Sequence, residues 1–327
     1  AGDVNTGNET YIYICIRRPD GYVGKPVETA TSVFAMDTGA NQIPVFDSSF
    51  PVDFALVKKT AGTESWWPGA RLIQGKYLST DTNSAEASNS DWSFDSNIGW
   101  NTDTGTFNSS DYQSWMWKRH AGFDVVTYTG NGISGRQLNH SLSKTPEMIW
   151  LKKRTGTARN WPVYHKGLDN GSSPQEYTVW LNLQNVQQDE TDIWNDTAPT
   201  SISFTIGNSV NVNENSQQFI AMLFASVDGI SKVGYYDGSD SSQTITTGFQ
   251  PRFVIIKNIS TAEDWFVLDT VRGWASGTDE NLRLNKNDAQ ENSHGDLGDP
   301  TSTGFTVIGN NSAVNNASQK FIYYAHA

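Results

Sequence analysis

Thirty-five Asp and Glu, five His and one Cys are the residues that could support acid–base, metal or nucleophilic chemistry in this chain. The histidines His120, His140, His165, His294 and His326 are scattered, in neither the H-x-x-x-H nor the H-E-x-x-H spacing that sets two imidazoles on one helix face for zinc. Acidic groups gather in polar stretches at Asp237/Asp240, Asp279/Glu280 and Asp296/Asp299. Calcium needs about six to eight converging oxygens. No complete D-x-[DN]-x-[DN]-G loop with its closing Glu is present, so these clusters read as solvated loops with room for one structural calcium and call for no other cofactor. Paired carboxylates suited to glycoside hydrolysis arise by chance in so acidic a chain, and no pair is set among aromatics. There is no G-x-S-x-G, and Gly130-Asn131-Gly132 is followed by no Lys-Ser/Thr. No catalytic residue is assigned, and the expectation is a protein that is not an enzyme.

The tryptophans carry more information. Trp66, Trp161 and Trp265 recur at matching places and read as core. Trp67, Trp92, Trp194 and Trp274 lack counterparts in all segments and stand beside Asn, Asp and Gly. A pyranose has an apolar face and a hydroxyl rim, so an indole flanked by amides and carboxylates is a sugar-binding arrangement. These four either stack on a ligand or cap their own loops.

Hydrophobic residues make up 36% and charged residues 18%, both low for a globular chain, while 12% are aromatic. That mixture suits short strands separated by polar loops. The net charge of −12 repels phosphate backbones and anionic bilayers, which argues against nucleic acid as a partner. No apolar run approaches the ~20 residues of a spanning helix, so helical membrane insertion is not expected. Cys15 is alone between Ile14 and Ile16, which excludes a disulfide framework within the chain and makes it a buried strand residue.

The elements that would position these residues repeat. Glu9–Ile16, Gln113–Lys118, Gln217–Ala225 and Gln319–Ala325 are four copies of one apolar segment, with starts 104, 104 and 102 residues apart. Residues 1–21 read as the terminal strand of an upstream unit, docked on a sheet edge and left by cutting from a longer polypeptide. Unit A spans 22–122, unit B 123–228 and unit C 229–327. Each holds a Pro-led β run beginning at Pro51, Pro146 and Pro251, where a strand tolerates proline. A Trp follows 15, 15 and 14 residues later. Next come a Leu-centred strand, a long polar loop, a strand begun by Trp100, Phe204 or Phe305, and the terminal strand. Helical periodicity is sustained nowhere. The expectation is an all-β chain of three tandem β-sandwich-like units of about 100 residues each.

The string Phe123–Gly132, with Leu138-Asn139-His140-Ser141-Leu142 and Pro146–Lys152, resembles a repeat of large structural proteins of marine bacteriophages, of the tail-fibre or virion-appendage kind. Tyr77-Leu78-Ser79 with Ala85-Glu86-Ala87, Trp115-Met116-Trp117-Lys118 and Ile193–Ser201 are similar to the same family, while unit C departs from it at Asp237-Gly238-Ser239 and at the His140 position. The resemblance implies a virion or extracellular location, other virion proteins as partners, homo-oligomers compatible with that setting, and contact with host-surface glycan. It implies no catalytic residues. The rival readings are a secreted adhesin or carbohydrate-binding array, and a polysaccharide depolymerase.

Overall fold

The computed structural model describes residues 28–102, 105–120 and 122–327. The terminal strand expected within residues 1–21, with Cys15, lies outside the described residues. The protein is all-β, and its one α-helical turn among the described residues is Thr191–Trp194.

The three Pro-led runs become the strands Phe54–Lys59, Met148–Lys153 and Phe253–Asn258. Each sits inside an antiparallel sheet. On one side it pairs with the strand that begins at or just after the recurrent Trp: Trp67–Ala70, Pro162–His165 or Trp265–Asp269. On the other side it pairs with the apolar terminal segment: Tyr112–Trp117, Gln218–Phe224 or Lys320–His326. That segment in turn pairs with an opening strand, Phe34–Thr38, Phe123–Thr129 or Ser231–Asp237, which forms the sheet edge. The register matches as well, with Phe54 opposite Trp117, Met148 opposite Phe224 and Phe253 opposite His326.

Strand alternation divides the side chains between two layers. Phe54 and Leu56, Met148 and Trp150, and Phe253 and Ile255 face one core shared by all three sheets. Ala55 and Val57, Ile149 and Leu151, and Val254 and Ile256 face three separate outer cores. Small sheets stand over those outer faces, carrying Phe46 and Trp100, Leu138 and Phe204, and Ile245 and Phe305.

The sheets are tied in a closed ring. The indole N–H of Trp66 donates to the carbonyl of Arg283 at 2.9 Å, that of Trp161 to Ser79 at 2.9 Å, and that of Trp265 to Trp180 at 3.0 Å. The first sheet's segment thus bonds to the third, the second to the first, and the third to the second. Backbone bonds run across the same three junctions, from Gln290 to Thr60, Glu86 to Arg154 and Gln187 to Ile259. Three fully buried lysines reinforce them. Lys58 donates to the carbonyls of Gly62, Glu64 and Asn287, Lys152 to those of Asn83 and Arg159, and Lys257 to those of Gln184, Asn258 and Glu263. In each set one carbonyl belongs to the neighbouring segment. Burial lowers Lys58 and Lys257 to about 8 and Lys152 to about 7. At Lys58 and Lys257 three carbonyl acceptors match the three N–H bonds of an ammonium group.

Candidate functional site

A groove of about 540 Å³ opens between the first and second sheets. Its floor is the edge strand Phe123–Thr129, contributing Asp124 through Thr127. Leu72, from the 3-10 turn Arg71–Ile73, and Arg119, just past the first sheet's terminal strand, form one wall. Asn139, His140, Ser141 and Ser143 form the other, with Ser201 and Ile202 at the tip.

Asp124 organises this groove. It is 1% exposed, and an acid in the apolar run Phe123-Asp124-Val125-Val126 must find donors for both oxygens. Oδ1 accepts Arg119 Nε at 2.6 Å and the Val125 N–H at 2.8 Å. Oδ2 accepts the Ser141 N–H at 2.6 Å and its hydroxyl at 3.0 Å. Arg119 Nη2 donates to Ser141 Oγ at 2.9 Å, closing the network. His140 Nδ1 accepts the Leu142 N–H at 3.3 Å while Nε2 stands 3.2 Å from the carbonyl of Thr200, an arrangement for the neutral Nε2–H tautomer. Burial lowers the His140 pKa, opposed in part by the Thr200 carbonyl. Arg119 and Asp124 cancel, so the groove is polar and neutral.

The corresponding junction between the second and third sheets is filled differently. Gly167 lies six residues after Trp161 as Leu72 lies six after Trp66. Tyr235 packs on Gly167, where an added Cβ would fall 2.5 Å from the tyrosine Cβ, and its hydroxyl reaches Gly171. At the matching strand position the groove has the shorter Thr127. A second recess of about 440 Å³ lies beside Glu147, Lys166, Tyr164 and Ser226. Burial would raise the Glu147 carboxyl, but Lys166 at 2.7 Å and the Ser226 donors outweigh it and hold the pKa below the usual value. Both Glu147 oxygens are occupied by these donors.

The four candidate tryptophans lie elsewhere. Trp92, Trp194 and Trp274 are 1%, 2% and 1% exposed, inside three different outer cores. Trp67 is partly buried against the same cluster as Trp92, with Tyr77 and Phe107 touching both indoles. Trp194 meets Tyr164, and Trp274 meets Phe305 and donates its N–H to the Gly298 carbonyl at 2.6 Å. A buried indole offers a sugar no face, so Trp92, Trp194 and Trp274 form no aromatic platform here. Their lack of counterparts reflects how differently each polar loop folds over its own core.

In the acidic loops, Asp237 and Asp279 are likewise engaged by protein donors. Asp237 pairs with Lys320 at 2.5 Å, and Asp279 accepts the Ala275 and Leu297 N–H groups. Burial, assisted by Asp296 and Asp299, raises Asp279 to about 6 against those backbone donors. No group of three or more His, Cys, Asp or Glu set to hold a metal occurs among the described residues. The signal that would have found the groove in the sequence is Asp124, a lone charge in a strand of large apolar residues.

The search of curated proteins returns no match. A family model matches residues 29–327, from just before the opening strand of the first sheet to the end of the third, and the chain belongs to that family, described as Domain of unknown function (DUF7483).

Proposed function

We propose that this protein is a non-enzymatic structural component of a virion surface or tail-fibre-like appendage, built from three copies of one β unit and placed to meet host-surface glycan. One observation supports this most: the closed ring of Trp66, Trp161 and Trp265 donors with the buried Lys58, Lys152 and Lys257. Each of these groups crosses from one segment to the next. No segment can leave without stranding buried donors or acceptors of a neighbour, each costing about 1–3 kcal/mol. Such interlocking suits a part that must stay folded outside a cell. The similarity of Phe123–Gly132 and Trp115–Lys118 to phage structural repeats supports the location and the partners, other virion proteins.

The test is an antibody to this chain applied to density-purified virus particles and to the particle-free supernatant of the same culture. The chain should band with the particles. Recovery only in the supernatant or on cells would favour the secreted adhesin. Release of oligosaccharides from host polysaccharide by the pure protein would favour the depolymerase.

A further inference from the structure

We infer that the groove between the first and second sheets binds a neutral saccharide unit, gripped by Arg119, Asn139 and Ser141 and covered at its rim by Leu72 and Ile202. This deepens the attachment reading above and rests on it.

The first support is the buried Asp124 network. All its partners converge on one groove, and its effect is to fix the Arg119 guanidinium and the Ser141 hydroxyl in place. Among the described residues no acceptor meets Arg119 Nη1. Donors held rigidly by a buried carboxylate lose little freedom when a ligand arrives.

The second support is the balance of charge and polarity. Arg119 and Asp124 are the charged residues of the lining, and they neutralise each other. A carboxylate or phosphate ligand gains no net attraction. The Asn139 amide and the Ser141, Ser143 and Ser201 hydroxyls offer donors and acceptors together, which is what a ring of hydroxyl groups requires. Leu72 and Ile202 are 46% and 68% exposed and both line this groove. They suit the C–H face of a sugar as an aliphatic counterpart to an indole.

An extended peptide added to the open sheet edge does not fit this place. The edge strand is blocked near both ends, by its own Asp124 and by Arg136 from the strand Arg136–Asn139. Asp124 occupies the Val125 N–H, and Arg136 Nη1 donates to the Thr129 carbonyl at 2.5 Å. The stretch left between them is too short for a strand to pair along. At the equivalent junction between the second and third sheets, Tyr235 over Gly167 takes up this space instead.

The experiment is saturation-transfer NMR with isothermal titration on the full chain. The probes are glucose, galactose, mannose and N-acetylglucosamine, with glucuronic acid and a threonine–valine octapeptide as contrasts. At least one neutral sugar should bind. Asn139→Ala and Leu72→Ala, both at exposed positions and expected to keep the wild-type melting temperature, should each weaken it about tenfold. Equal binding in wild type and both variants would overturn the groove while leaving glycan contact elsewhere. Binding of glucuronic acid or the peptide alone, or of none of the neutral sugars, would overturn the assignment. None of these outcomes changes where the chain is found among particle fractions, so failure here is separable from failure of the virion reading.

Discussion

Trp161 donates its indole N–H to the carbonyl of Ser79, 82 residues earlier, at 2.9 Å, while the rest of its ring lies fully buried in the core shared by three sheets. The same side chain therefore fills volume and bonds its segment to the preceding one. Lys152 stacks its ammonium over this ring at 5.6 Å and reaches Asn83 in the same neighbouring loop.

Truncation and donor removal at this position should separate. Trp161→Ala leaves a large cavity and should cost about 3–5 kcal/mol. Trp161→Phe keeps most of the volume but strands the Ser79 carbonyl, and should cost about 1–3 kcal/mol. Urea unfolding of both variants checks this. Equal costs would mean that the indole bond contributes nothing.

Lys257→Met keeps a chain of similar length and removes the donor for the Gln184, Asn258 and Glu263 carbonyls. One buried and two part-buried carbonyls lose this donor, and the variant should be less stable by about 1–3 kcal/mol. Differential scanning calorimetry should show a lower melting temperature in a single transition, since the ring joins all three sheets. A separate early transition confined to one third of the enthalpy would contradict that cooperativity.

Gly167→Ala should be destabilising by about 1–3 kcal/mol through overpacking, because the new methyl meets the Cβ and ring root of Tyr235 rather than a flexible tip. The backbone there, at φ −92°, accepts alanine, so the cost is steric. In a Tyr235→Ala background the same change should cost almost nothing. Persistence of the penalty in that background would place its origin in the backbone.

Stability should fall on mild acidification. Burial lowers His165 to about 3 and His326 well below its ordinary value. The unfolded chain takes up those protons near pH 6.5, so below that pH the unfolded state binds more protons than the folded one. The contribution of these histidines is therefore full above about pH 6.5 and declines as the pH falls, by about 1.4 kcal/mol per pH unit for each buried imidazole. His165→Asn should remove about one proton from the slope between pH 6 and 4. An unchanged slope would show that His165 is protonated in the folded protein.

Trp194→Ala offers a contrast with the groove variants. The residue is 2% exposed among Tyr164 and the second outer core, so its loss should cost about 3–5 kcal/mol. Sugar binding by the fraction that remains folded should be unchanged. A selective loss of binding at full stability would return Trp194 to the ligand site.

Strand class and much of the core follow from the pattern of residue types alone. Proline at 51, 146 and 251 marks strand starts because a strand can lack a donor only at its margin, and alternation in Phe54–Lys59 or Phe253–Asn258 already separates two faces. Trp66, Trp161 and Trp265 stood out because each follows a Pro-led run at nearly the same spacing, and all three are buried. What those faces meet was decided by tertiary structure alone. The inner faces pack on one another rather than each against a sheet of its own, since backbone carbonyls at Ser79, Trp180 and Arg283 accept indole donors from other segments, and a carbonyl has no sequence signature. For the same reason the surroundings of the loop tryptophans were not legible: Trp92, Trp194 and Trp274 sit among polar neighbours in the chain but in the outer cores in space. The groove at Asp124 depended on Leu72 and Arg119 arriving from another sheet and on Thr127 being too short to fill the gap that Tyr235 fills elsewhere. That is a comparison of volumes across a junction, and only folding brings its two sides together.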